Sequence, residues 1–167
     1  MKLFELKKEY KIFVDLDGVM ADLDKHVLEI SGKTFDELRA SGSGFTEFVK
    51  NQRDQGFTVF DELDKMLDAD QLWNYVVQYD PTILTATGYP EEKAKAEKIR
   101  WVYDNLHGFD GILTTISGAD KHKYAAPNHI LIDDRDKAIL PWREAGGIGI
   151  LHTSAADTIA QLKKLGL

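Results

Sequence analysis

Short uninterrupted apolar runs, each bounded by an acid, a glycine or a threonine, recur along the chain. They are Lys11-Ile-Phe-Val-Asp15, Thr82-Ile-Leu-Thr-Ala86, Gly111-Ile-Leu-Thr-Thr-Ile116, His129-Ile-Leu-Ile-Asp133 and Gly147-Ile-Gly-Ile-Leu-His152. Runs of this length without polar alternation suit strands buried on both faces, as in a parallel sheet. Between them the period changes. Ile99, Val102, Tyr103 and Leu106 follow the i, i+3, i+4, i+7 spacing of a helix, with Pro90 suited to a first helical position. Lys137 to Ala145 predicts another helix, stopped by Gly146 and Gly147. Ser154-Ala-Ala-Asp157 reads as a capping box opening a last helix that carries Ile159, Leu162 and Leu165. Strands alternating with helices imply right-handed crossovers and an α/β fold with a doubly wound, mainly parallel, Rossmann-like sheet.

Residues 23–80 break this rhythm. Helical stretches at Leu23–Ser31, Thr34–Ala40, Phe45–Gln52 and Ala69–Tyr79 are joined by glycine-rich turns such as Ser41-Gly-Ser-Gly44, and no buried strand is evident. This predicts a helical cap at 23–80 inserted after the first strand, with the α/β core formed by 1–22 and 81–167.

Open α/β sheets bind ligands outside the carboxyl ends of their strands. Here the first strand ends in Asp15-Leu-Asp17-Gly18, the second in Thr85-Ala-Thr87-Gly88 and the fourth in Asp133-Asp134-Arg135. If these strands are neighbours, four carboxylates converge, and like charges at short range cannot all stay ionised without relief. A hard divalent cation with oxygen ligands supplies that relief, and Mg²⁺ is the natural choice beside a phosphate. A lysine from Asp120-Lys-His-Lys123 adds a second positive charge. Phosphoryl transfer needs an in-line nucleophile and cations on the equatorial oxygens. Asp15 can attack phosphorus to form an aspartyl-phosphate, and Asp17 can protonate the leaving alkoxide and later deprotonate water. Thr85 and Ala86 at the end of the second strand, a lysine of the Asp120–Lys123 segment and Arg135 are then substrate contacts, and Asp133 and Asp134 bind or orient the metal.

Blander readings fail on spacing. A calcium loop wants glycine at its sixth position and glutamate at its twelfth, whereas glycine stands three after Asp15 and position twelve is His26. The histidines at 26, 107, 122, 129 and 152 show no paired ligand spacing and read as structural. Trp73, Trp101 and Trp142 read as core. A receiver-type phospho-acceptor domain also uses carboxylates, Mg²⁺, Thr and Lys. It carries its acidic pair on the first strand and lacks a helical insert, whereas here the pair comes late and the insert early.

Composition narrows the class of partner. The 167 residues are 43% hydrophobic, enough for one compact core beside a modest insert. A net charge of −7 argues against general affinity for nucleic acid backbones or anionic membranes, yet allows a small phosphorylated metabolite, since a metal can invert the field of one pocket. The charged stretch Met1 to Lys11, the lack of any span-length apolar segment and the absence of cysteine fit a cytoplasmic protein, and a homodimer is compatible with them.

The pattern resembles a known family. Phe13-Val-Asp-Leu-Asp-Gly-Val19 followed by Ala21-Asp22 is similar to the first motif of the haloacid dehalogenase-like hydrolases, Ile83-Leu-Thr85 to their second and Ile130-Leu-Ile-Asp-Asp134 to their fourth. The third motif is a lysine. Lys123 stands ten residues before Asp133, a spacing similar to that of the 5'(3')-deoxyribonucleotidase branch, and is preferred over Lys121. Asp17-Gly-Val-Met-Ala-Asp22, Gly56-Phe57, Trp101-Val102 and Asp133-Asp-Arg135 also look like that branch, while Ile132–Arg135 with Trp142-Arg143 resembles the phosphatase domain of polynucleotide kinase–phosphatases. The resemblance implies Mg²⁺, a helical cap and a nucleoside monophosphate substrate. The alternative is a polynucleotide-end or sugar-phosphate phosphatase of the same fold. It also implies a metal held by the Asp15 carboxylate, the Asp17 carbonyl and one of the acidic pair, with Asp134 favoured as direct ligand and Asp133 behind it. Leu23 and the short cap depart from the nucleotidase pattern. Phe57, after Gly56 in a turn, is the aromatic assigned to stack on a base.

Overall fold

The computed structural model describes residues 9–89 and 91–167. The charged stretch at 1–8 and Pro90 lie outside the described residues. Five parallel strands, β1 (Lys11–Val14), β2 (Thr82–Ala86), β3 (Gly111–Thr115), β4 (His129–Asp133) and β5 (Ile148–Leu151), form one sheet in the order β3-β2-β1-β4-β5. The chain moves outward in one direction from β1 to β3, then returns to β1's other side for β4 and β5. The reversal places a topological switch point between β1 and β4. Receiver-type modules follow the order 2-1-3-4-5, so the sheet excludes that reading.

Apolar runs without alternation are explained by burial on both faces. Ile12, Val14, Ile83, Ile130, Ile132 and Ile150 join the larger core, while Phe13, Leu84 and Leu131 point into a second, smaller one. The larger face is covered by α5 (Glu91–Asn105), α4 (Ala69–Val76) and α7 (Ala155–Lys164), through residues that include Trp101, Val102, Leu72, Trp73 and Leu162. The smaller face is covered by α6 (Asp136–Glu144), whose Trp142 meets Phe13 edge-on at 5.3 Å. Trp142 also lies so close over Gly147 that no Cβ fits there. Ser154 caps α7 by accepting from the Asp157 amide, but Asp157 turns to Gln161 rather than closing the predicted box.

Between β1 and β2 lie α1 (Leu23–Ser31), α2 (Phe35–Ala40), α3 (Gly44–Asp54) and α4, followed by a 3₁₀ turn at Val77–Tyr79. No strand of the sheet comes from this segment. Its last helix flanks the sheet against α7: the Asp68 carboxylate accepts from Ala155 N at 2.6 Å and Tyr75 Oη donates to Leu167 O at 2.8 Å. Among the described residues no helix is long and apolar enough to cross a membrane.

Candidate functional site

The carboxyl ends of β1 and β4 meet at the switch point. Asp15 N continues the ladder to Ile132 O at 3.0 Å, and the next residues fold back tightly, with Val19, Met20 and Ala21 amides all donating to Leu16 O. Gly18 makes this turn at φ +81°, and a Cβ on it would run into the Asp134 carboxyl. Glycine at this position therefore brings the β1 and β4 loops into contact.

Asp15, Asp133 and Asp134 each offer an oxygen within 4.8 Å of the others. Lys121 reaches in beneath them, its Nζ 2.7 Å from Asp15 Oδ1 and 2.6 Å from Asp133 Oδ2. Burial opposes the charge on Lys121, but the two carboxylates outweigh it and raise its pKa. Asp133 also accepts from Arg135 N at 2.9 Å, so both of its oxygens are engaged. Burial and the charge of Asp15 nevertheless push Asp133 upward. Asp134 is different: Oδ1 is buried with no hydrogen-bond partner. Burial first, then the charges of Asp15 and Asp133, raise its pKa to about 7. The donors are hard oxygens, and the site is repulsive without a cation, so the residues present fit a small divalent ion.

Lysine placement corrects the sequence expectation. Lys123 is 66% exposed along its side chain and pairs with Asp120 at 3.3 Å, outside the site, whereas the Lys121 side chain is 2% exposed. Both sit in a 3₁₀ turn at Ala119–Tyr124. Three residues per turn put positions two apart on different faces, so only one of the pair can face the carboxylates. Spacing by family analogy selected the wrong face. At the start of this turn the Ser117 hydroxyl and amide both donate to Asp120, and Lys121 follows with its side chain turned inward.

Sequence reasoning also missed Lys98 of α5. It is 2% exposed, its ammonium bonds Asp17 Oδ2 and, at 3.3 Å, Thr85 Oγ, and it lies 4.6 Å from the Phe60 ring centroid. Burial raises the Asp17 pKa, with Lys98 opposing that shift. Thr85 is brought to the site but wholly buried, so its hydroxyl meets Lys98 rather than the cleft, which Ala86 and Thr87 line. Its register was the missed signal: Lys98 lies on the same helix face as Ala94, Trp101 and Val102, all buried, whereas Lys93 and Lys95 are exposed.

A cleft of about 1000 Å³ opens over these residues, walled on the insert side by Phe35, Arg39, Phe45 and Phe60. Phe35 and Phe45 pack edge-to-face at 4.7 Å. Arg135 lines the same cleft, stacking over Phe35 at 5.0 Å and bonding Asp36 at 2.6 Å, a direct tie between the β4 loop and α2. Phe57 does not take part. It is 60% exposed and outside the cleft, because Gly56 turns the chain outward at the end of α3. The stacking role expected of Phe57 is thereby withdrawn. Of the histidines, the most buried, His152, is occupied by Thr158 Oγ at 2.7 Å, and burial lowers its pKa.

Solved structures with this architecture decide the fold. A haloacid dehalogenase-like hydrolase from Streptococcus pneumoniae superposes with a TM-score of 0.56 at 17% identity, covering 92% of this chain and 90% of that one. The L-2-haloacid dehalogenase of Xanthobacter autotrophicus, solved with chloropropionic acid covalently bound, gives 0.58 at 10% identity over 83% and 75%. The chain has the haloacid dehalogenase-like fold. A third neighbour within that fold, an enzyme from Bacteroides thetaiotaomicron in complex with magnesium and inorganic phosphate, gives 0.50 at 14% identity over 87% and 94%. No family model and no curated protein sequence matches the chain.

Proposed function

We propose that this protein is a Mg²⁺-dependent phosphatase that hydrolyses phosphate monoesters through an aspartyl-phosphate on Asp15, with nucleoside monophosphates as the favoured substrates. The observation that carries the reading is the pairing of two differently held carboxylates, Asp15 on Lys121 and Asp17 on Lys98, beside the unpartnered Asp134 oxygen. A carboxylate nucleophile alone would also serve displacement of a halide, which leaves without a proton. A second carboxylate two residues on is what an alkoxide leaving group requires.

Asp15 attacks phosphorus, the ester P–O bond breaks, and the departing oxygen takes a proton from Asp17. Water then attacks the phosphorus of the acyl phosphate, gives its proton to Asp17, and inorganic phosphate leaves with Asp15 regenerated. Lys121 holds Asp15 in place and offsets charge gathered at the β1–β4 crevice. A cation would be held by Asp15, Asp134 and the Asp17 carbonyl, with Asp133 kept beside them by Lys121 and Arg135 N. When bound, it would neutralise phosphate charge and make room for an anion among carboxylates.

The aromatic wall of Phe35 and Phe45 with Arg39 and Arg135 supports a substrate bearing a flat, polar organic group, and the cleft volume accommodates a nucleotide. Release of inorganic phosphate from deoxynucleotides, ribonucleotides, sugar phosphates and a 3'-phosphorylated oligonucleotide tests the assignment. Preference for nucleoside monophosphates supports it. Preference for the oligonucleotide end or for a sugar phosphate moves the protein to another branch of the same chemistry.

A further inference from the structure

Two adjacent residues of α5 serve opposite sides of the cleft. Glu97, its side chain 7% exposed, takes Arg53 of α3 through both guanidinium nitrogens at 2.5 and 3.3 Å and accepts from the amides of Val59 and Phe60, each at 3.2 Å. The next residue, Lys98, bonds Asp17 and Thr85 and lies against the face of Phe60. An ammonium has three donors and, once buried, is stable only when they are satisfied. Here the carboxylate, the hydroxyl and the aromatic face supply three partners from β1's loop, β2 and the insert.

We propose that Lys98 is a positioning residue that clamps the Asp17 carboxylate for proton transfer, and that Glu97 seats the 59–60 segment of the insert so that Phe60 closes over the clamp. The inference rests on the reading of Asp17 as proton donor and acceptor given above. Its side chain is 27% exposed and would otherwise turn toward solvent. Proton transfer tolerates only hydrogen-bond distances between heavy atoms, about 2.6–3.2 Å, so freedom in that carboxylate slows the step. Lys98 takes Oδ2, which leaves the other oxygen for the substrate. Placing the aromatic lid of the clamp on the insert makes the geometry of Asp17 depend on how the insert sits.

The test compares two esters in the full chain with Mg²⁺. An alkyl phosphate needs a proton on its leaving oxygen. Para-nitrophenyl phosphate does not, so the pre-steady-state burst of nitrophenolate reports the first step without Asp17. Lys98→Met is expected to slow alkyl phosphate turnover by ~10²-fold or more, the scale of a general acid put out of place. The nitrophenolate burst should change by less than about threefold, because it does not draw on that proton. Lys98→Arg should restore much of the lost alkyl turnover, since it returns a cation to Asp17. Equal slowing of both esters by Lys98→Met, or unchanged alkyl turnover, overturns the proposal. Asp17→Asn run in parallel separates the two layers. If it spares alkyl turnover, the reading of Asp17 itself fails; if it shows the split and Lys98→Met does not, only the clamp fails. Should Lys98→Met not fold, Glu97→Gln carries the same comparison with every site side chain retained. The same split is then expected at roughly three- to tenfold, as for a geometric change relayed through one contact, and no split overturns the coupling.

Discussion

The Lys121 ammonium stands 2.7 Å from Asp15 Oδ1 and 2.6 Å from Asp133 Oδ2, so one buried cation joins the end of β1 to the end of β4. Losing it would leave two buried carboxylates facing each other. Lys121→Met should therefore lower stability by about 3–5 kcal/mol, the cost of breaking a buried ion pair from one side. It should also cut phosphate release by at least ~10²-fold. Lys123→Met removes an exposed side chain paired only with Asp120 and should leave both within experimental error. Urea unfolding and steady-state turnover of the two variants check this, and reversed effects would return the site lysine to position 123.

The acidic pair predicts a pH dependence in metal-free protein. Asp134 has a folded-state pKa of about 7 against an ordinary 3.8, so folding holds a proton that the unfolded chain releases. That contribution falls away as pH rises from about 4 to about 7 and is constant above, amounting to a few kcal/mol. Asp134→Asn keeps the shape without the charge. In excess chelator its stability advantage over wild type should grow across that window, and Mg²⁺ should close the gap at pH 8 by stabilising the wild type more. An advantage of the same size at pH 4 and pH 8 would show that Asp134 is not held against its charge.

How much of this was readable beforehand depends on where the information lies. The five strands were legible because burial on both faces writes an unbroken apolar run, as in Ile130-Leu-Ile132. Asp15, Asp133 and Asp134 were legible because each ends or directly follows such a run, and Asp17 because it stands two residues beyond Asp15 beside Gly18. Lys98 was passed over because a lysine close to Lys93, Lys95 and Glu97 reads as surface charge, although it shares the buried face of Ala94, Trp101 and Val102; its partners come from β1's loop and the insert. Lys121 and Lys123 could not be separated without knowing that their segment winds with three residues per turn. Phe57 misled because a glycine turn predicts exposure equally well toward a cleft and toward bulk water; Gly56 sends it to water.

The aromatic wall makes its own prediction. Phe35 contacts Phe45, Arg39 and Arg135 at the cleft, so Phe35→Ala removes a stacking surface of the kind that contributes ~1–3 kcal/mol per base. KM for nucleoside monophosphates should rise by roughly tenfold or more, with kcat for a small aryl phosphate nearly unchanged. Phe57→Ala should change neither. Proportional losses on both esters in Phe35→Ala would make it a packing residue of the insert.

The central claim is that Asp15 is the nucleophile of a cation-dependent phosphatase. Phosphate release from a small aryl phosphate ester, measured for wild type with Mg²⁺, wild type in excess chelator, and Asp15→Asn with Mg²⁺, tests it most directly. The account predicts turnover in the first condition alone, with Asp15→Asn reduced by ~10³–10⁴-fold while still folded, as expected when a central catalytic group is lost. Wild-type turnover by Asp15→Asn, or full activity in excess chelator, would contradict it.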